Sequence, residues 1–153
     1  MRTNRKGFTL IELLAVIVIL AIIALITVPV VIKIINNAKK GAAEDSAYGV
    51  VESAKLFWAS NQGNFEANYA TVTFTCHSEK YCDTTDITGL TSPDNRLDIS
   101  GTKPTNGNIV IANGEVTVTG LQFGEYYCST DSTDANKIAC STTAPSTSNS
   151  NNG

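Results

Sequence analysis

The stretch Lys6-Gly7-Phe8-Thr9-Leu10-Ile11-Glu12, followed without a break by an apolar run to Ile32, decides how the rest of this 153-residue chain is read. Arg2, Arg5 and Lys6 form a short basic head before it. The 25 residues from Phe8 to Ile32 then carry one charge, Glu12. As a helix rising 1.5 Å per residue, the run is about 37 Å long, enough to cross a ~30 Å hydrocarbon layer with some tilt. A helix is the form a single segment must take there, because backbone groups facing lipid have to pair within their own segment. Glu12 is the anomaly. An acid in such a span costs about 2.5–3.5 kcal/mol at mid-depth and less near an end, and a simple anchor has no use for it.

At these residues the chain resembles the type IV prepilins and their pseudopilin relatives. The resemblance covers residues 5–32, about a sixth of the chain, and the Gly-Phe-Thr-Leu-Ile-Glu string before a long apolar run is a specific signal. It implies that residues 1–7 are a leader, that a prepilin peptidase in the membrane cuts between Gly7 and Phe8, and that Phe8 is then N-methylated. It implies an assembly role for Phe8, Glu12 and Pro29, with mature subunits packing their helices into the core of a homopolymeric filament built by pilus assembly machinery. The implied location is the cytoplasmic membrane, leader inside, and afterwards an extracellular filament. Ala21 departs from the pattern: many members carry glycine there, so local unwinding is less favoured in this chain. The positive-inside rule does not set the orientation, since Lys33, Lys39 and Lys40 follow the span as closely as three basic residues precede it. A conventional signal peptide is excluded by the length of the apolar run and the lack of a small-residue cleavage site at its end. A plain single-pass anchor is the competing reading.

Composition agrees with an anchored domain. Charged residues are 16% of the chain, against about 25% in typical soluble proteins. Without the leader, three of the eleven basic residues are gone, leaving eight against fourteen acidic ones, a net of −6. An acidic body is a poor ligand for nucleic acid, whose phosphates dominate affinity, so no specific nucleic-acid partner is expected.

Cys76, Cys82, Cys128 and Cys140 all lie beyond the apolar run. An even count in an exported body reads as two disulfides, with three possible pairings, of which the sequence-local 76–82 and 128–140 is favoured. A zinc site is the other reading. Cys76, His77 and Cys82 lack the usual ligand spacing for it, and His77 is the sole histidine.

Past Ile32 the pattern becomes amphipathic. Val31, Ile34, Ile35, Ala38, Ala42, Ala47, Val50, Val51, Ala54, Phe57 and Trp58 recur at three- and four-residue steps. One helix over 8–62 is expected, with 8–32 as membrane and filament core, Pro29 bending rather than ending it, and Asn61-Gln62-Gly63 as its stop. Phe57 and Trp58 read as pins between helix and sheet. Residues 63–140 read as a β domain. Thr71–Cys76 alternates as a half-buried strand, 77–95 reads as a loop, and Arg96–Ser100 as a short strand. Lys103–Gly107 is a turn cluster. Asn113-Gly114 joins Asn108–Ala112 to Glu115–Thr119 in a hairpin with a type I′ turn. Leu121–Cys128 reads as a further strand, with Gly120 and Gly124 as candidate bulges. The polar segment Cys128–Cys140 resembles, more weakly, the disulfide-bounded C-terminal loop of type IV pilins. Residues 141–153 read as a disordered tail.

No catalytic constellation, phosphate loop or metal-helix motif occurs. Asp83, Asp86, Asp94 and Asp98 do not have calcium-loop spacing and read as solvated charges. The expectation is therefore an α+β protein with a type IV pilin-like fold: a long N-terminal helix, half of it packed on a small antiparallel sheet. It is expected to be a non-enzymatic, cofactor-free structural subunit, the major pilin of a filament. A minor pilin or a pseudopilin of a type II secretion or DNA-uptake machine is the alternative.

Overall fold

A computed structural model describes residues 7–61, 71–85 and 94–145. The basic head 1–6, the expected helix stop at Gln62 and Gly63, the loop residues Asp86, Gly89 and Pro93, and the tail from residue 146 lie outside the described residues. The elements run α1 (Leu10–Asn61), β1 (Thr71–His77), β2 (Tyr81–Asp83), β3 (Asn108–Ala112), β4 (Glu115–Thr119), β5 (Leu121–Phe123), β6 (Tyr126–Thr130) and β7 (Ile138–Ser141). The chain divides into two compact units, Met1–Lys39 and Lys40–Gly153.

In the first unit α1 is apolar on all sides. Every described residue from Gly7 to Lys39 is exposed. Its most apolar 18-residue window has a mean hydropathy of 3.3 and none of it is buried. Pro29 does not end the helix, although its missing N–H leaves the Leu25 carbonyl without its usual partner. Two residues before it, the Thr27 hydroxyl donates to the Ile23 carbonyl at 3.0 Å, which satisfies a polar group that lipid cannot.

In the second unit α1 buries Ala43, Ala47, Val50 and Ala54, with Val51, Phe57 and Trp58 half-buried beside them. This corrects the expected stripe: Ala42 is exposed and Ala43 faces the core. The steps 43, 47, 50 and 54 keep one line along the helix, whereas Ala42 lies about 100° off it. Ser53 shares the buried face because its hydroxyl donates to the Gly49 carbonyl at 3.0 Å. Phe57 meets Phe74 edge-to-face at 4.9 Å, the pinning contact expected of it.

Two antiparallel sheets complete this unit, ordered β2-β1-β3-β4 and β5-β6-β7. Alternation in β1, β3 and β4 sends Val72, Phe74, Ile109, Ile111, Val116 and Val118 into one core. Burying each such side chain contributes roughly 1.5–3 kcal/mol before the entropy of ordering it is counted. Asn113 and Gly114 join β3 to β4 with φ of 51° and 85°, the two positive angles of a type I′ turn. The sheets are stitched by side chains. The Val118 N–H donates to Thr130 Oγ1 at 2.8 Å and the Gly120 N–H to Ser129 Oγ at 2.9 Å. Gly107 must be glycine: its φ is 112°, and an added Cβ would lie 2.6 Å from the Gly120 carbonyl oxygen.

Four expectations need correction. The segment 77–95 is not all loop: residues 81–83 form β2, held through the Cys76↔Cys82 register. Arg96–Ser100 is not a strand. Only Arg96 bridges, to Asp83, while Leu97 and Ile99 are anchored by burial. Leu121–Cys128 is two strands, because Gly124, at φ 62°, turns β5 back onto β6. The expected tail starts too early: β7 runs past Cys140 to Ser141, paired on β6 through Cys128↔Cys140 and Tyr127↔Ser141.

Candidate assembly site

Of the functional residues expected from the sequence, Gly7, Phe8 and Glu12 lie at the start of α1, while Pro29 lies well along the helix. The helix begins at Leu10, two residues later than expected, because Thr9 caps it. The Thr9 N–H and hydroxyl both donate to Glu12 Oε2, each at 2.8 Å. The Glu12 N–H points back to Thr9 Oγ1 at 3.4 Å, and the Leu13 N–H donates to the Thr9 carbonyl at 3.2 Å. Thr-x-x-Glu with these reciprocal bonds is a capping box. An acid in the first turn also complements the positive end of the helix dipole. Glu12 thus has a local partner whether or not any second chain is present. The sequence signal was Thr9-Leu10-Ile11-Glu12 itself, overshadowed by the apolar run around it.

Phe8 is 85% exposed. A Cβ placed on Gly7 would meet nothing within 4 Å, and the backbone there is not in the left-handed region. Nothing in the described fold therefore requires glycine at position 7. Pro29 lies in the same exposed helix half and makes no part of the capping box.

The cysteines form two bonds away from this site, Cys76–Cys82 with Cα atoms 4.0 Å apart and Cys128–Cys140 with Cα atoms 4.1 Å apart. Each pair stands directly opposite across an antiparallel ladder. Cys76 sends its N–H to the Gly107 carbonyl, while the Cys82 carbonyl accepts from the Leu97 N–H. Those two groups point away from each other, as in a non-hydrogen-bonded pair, where Cα atoms come closest. With all four sulfurs oxidised, no thiolate remains for zinc. His77 instead bonds Asp83 through Nε2 at 2.9 Å.

A family model described as the prokaryotic N-terminal methylation motif matches residues 2–28. This is the signature of type IV pilins and pseudopilins. No curated protein and no solved structure matches the chain. The matched segment contains Gly7, Phe8, Thr9 and Glu12, and the motif implies processing by prepilin peptidase and handling by pilus assembly machinery. One long N-terminal helix followed by antiparallel sheets is an α+β layout consistent with the type IV pilin fold. The exposed apolar helix and the motif together fit a membrane-anchored pilin precursor.

Proposed function

We propose that the chain is a filament-forming pilin, the major subunit of a type IV pilus. The observation that carries this reading is an apolar helix half with no buried face, headed by a capped carboxylate four residues past the processing site. Cleavage between Gly7 and Phe8 frees an α-amino group one residue before the capping box. Thr9 holds the Glu12 carboxylate at the helix start. The new amine, of the same or a neighbouring chain, supplies a countercharge that offsets its desolvation as helices pack together, where an unpaired buried charge is heavily penalised. The exposed apolar side chains from Leu10 to Ile35 then bury against one another instead of lipid, and the Lys40–Gly153 unit forms the filament surface. Pro29 tunes the path of the packed helix.

The reading is tested by mass spectrometry of filaments sheared from cells. The expected species begins at Phe8, carries one added methyl and dominates the preparation. Scarcity in that material would instead mark a minor subunit or pseudopilin. Glu12→Ala is expected to leave cleavage intact and to lower filament yield at least tenfold, given the 3–5 kcal/mol typical of stranding one partner of a buried pair. Glu12→Gln keeps the capping geometry and loses only the charge, so it should assemble as poorly as Glu12→Ala. Normal yield from either variant removes the electrostatic role assigned to Glu12.

A further inference from the structure

We infer that the outer end of the apolar helix carries a binding site for anionic phospholipid headgroups, centred on Lys33. The inference rests on the reading of this helix as a membrane span before assembly, and it concerns a residue to which that reading gives no role. Between Glu12 and Lys33 lie twenty residues, all uncharged. As a helix they measure about 30 Å, the thickness of a bilayer's hydrocarbon layer. With Glu12 at one polar boundary, Lys33 falls at the other. Its exposed side chain can carry the ammonium group out to the headgroups while its methylenes stay among the acyl chains.

The charge pattern decides what the ammonium meets. No acidic residue occurs between Glu12 and Glu44, a stretch that holds Lys33, Lys39 and Lys40. Lys40 is already committed to Glu44 at 3.6 Å within the second unit. Lys33 is eleven residues from Glu44 in sequence, and its countercharge has to come from outside the helix. Ile34 and Ile35, 61% and 47% exposed, keep this segment at the interface rather than in free water. A sheet of fixed lipid phosphates is the counterion that this depth and sign fit, at about fivefold in affinity per lysine near an anionic surface. Such a clamp would fix the depth of the waiting subunit and be given up when it leaves the bilayer.

The full-length chain reconstituted in phosphatidylcholine vesicles, with and without phosphatidylglycerol, tests this. Spin-labelled lipids report which headgroup the protein prefers. To keep the basic leader from contributing, Arg2→Gln/Arg5→Gln/Lys6→Gln serves as the parent. The parent is expected to prefer phosphatidylglycerol severalfold, less so at high salt, and Lys33→Gln to lose most of that preference. Inorganic phosphate should compete no better than chloride of equal ionic strength; preferential competition would mark a site for free anions and overturn the lipid assignment. Equal preference for both lipids, or a preference unchanged by Lys33→Gln, overturns the site. If the Lys33→Gln variant keeps its lipid preference yet fails to form filaments, the site is overturned and the lysine serves a neighbouring subunit instead. Vesicle flotation is read in parallel. A chain that floats with vesicles but shows no lipid preference sinks this inference alone, and one that does not float sinks the membrane reading beneath it.

Discussion

Between Leu10 and Lys39, α1 presents apolar side chains on every side and buries none of them; between Gly41 and Asn61 the same helix buries Ala43, Ala47, Val50 and Ala54 and leaves Glu52, Lys55 and Leu56 outside. A helix apolar all round is suited to a membrane or to the interior of a larger assembly, and one with a single apolar stripe to a sheet of its own chain. The contrast shows that burial within one chain is a poor guide to which residues matter. The exposed half, which contains the proposed assembly site, buries none of its described apolar side chains within this chain. The buried half answers only to its neighbours in the fold.

Placing the same substitution in each half is the sharpest way to break that contrast. Val50 is fully buried, and Val50→Asp would put an unpaired carboxylate into the core, a change expected to cost at least 3–5 kcal/mol. In a body of this size that lowers the melting temperature by more than about 10 °C, read from Trp58 fluorescence in detergent. Val18 is 49% exposed, so Val18→Asp should leave that melt unchanged while reducing recovery of the chain in membranes. Equal melting shifts for the two variants would mean that the halves do not differ as described.

The disulfides sharpen the comparison within the second unit. Closing the segment from Cys128 to Cys140, twelve residues apart, is worth about 3 kcal/mol by chain entropy, and closing the six-residue separation of Cys76 and Cys82 about 2 kcal/mol. Cys128→Ser/Cys140→Ser should therefore destabilise more than Cys76→Ser/Cys82→Ser in the same melt. The reverse order would show that the β1–β2 hairpin, which holds the Asp94–Ser100 segment through the Leu97 N–H bond to the Cys82 carbonyl, outweighs loop length.

What was legible in the sequence followed from strong local rules. Asn113-Gly114 specified its turn because few residue pairs accept two positive φ angles, and the alternation on either side fixed which face is buried. The apolar run specified a helix because lipid permits little else. Where the sequence misled, the deciding partner lay outside the segment being read. β2 and β7 are only three and four residues long, too short for alternation to reveal them, and they are strands because β1 and β6 offer edges with cysteines in register. Tyr48, half-exposed on α1, receives the Ile138 N–H at 3.1 Å across ninety positions of sequence, a contact that no window of residues could reveal. At the site, Gly7, Phe8 and Glu12 were readable as a motif. Thr9 was missed although it lies between them, because its role depends on the side-chain bonds that start the helix.

The smallest expected effect tests how far a region without an apolar core can still contribute. In the turn between β6 and β7, the Thr133 hydroxyl donates to Asp131 Oδ1 at 2.6 Å and the Thr133 N–H to the same oxygen at 2.8 Å. Those bonds, with a weaker contribution from the charge of Lys137, hold the Asp131 carboxyl below its ordinary range. A carboxyl whose pKa is lower folded than unfolded stabilises the fold at pH values above its unfolded pKa, near 4, and loses that contribution as pH falls through the folded value. Asp131→Asn keeps an acceptor for both Thr133 donors and removes the titration. Melts of wild type and variant taken from neutral pH down through about pH 3 should therefore run parallel above the carboxylate range. They should converge below it, as the wild type alone gives up this contribution. The group is solvent-exposed, so the difference will be small and will shrink further with salt. Curves that stay parallel throughout would show that the Asp131–Thr133 bonds shape the turn without stabilising it, and that the β6–β7 connection depends for its order on the Cys128–Cys140 bond and on Tyr48.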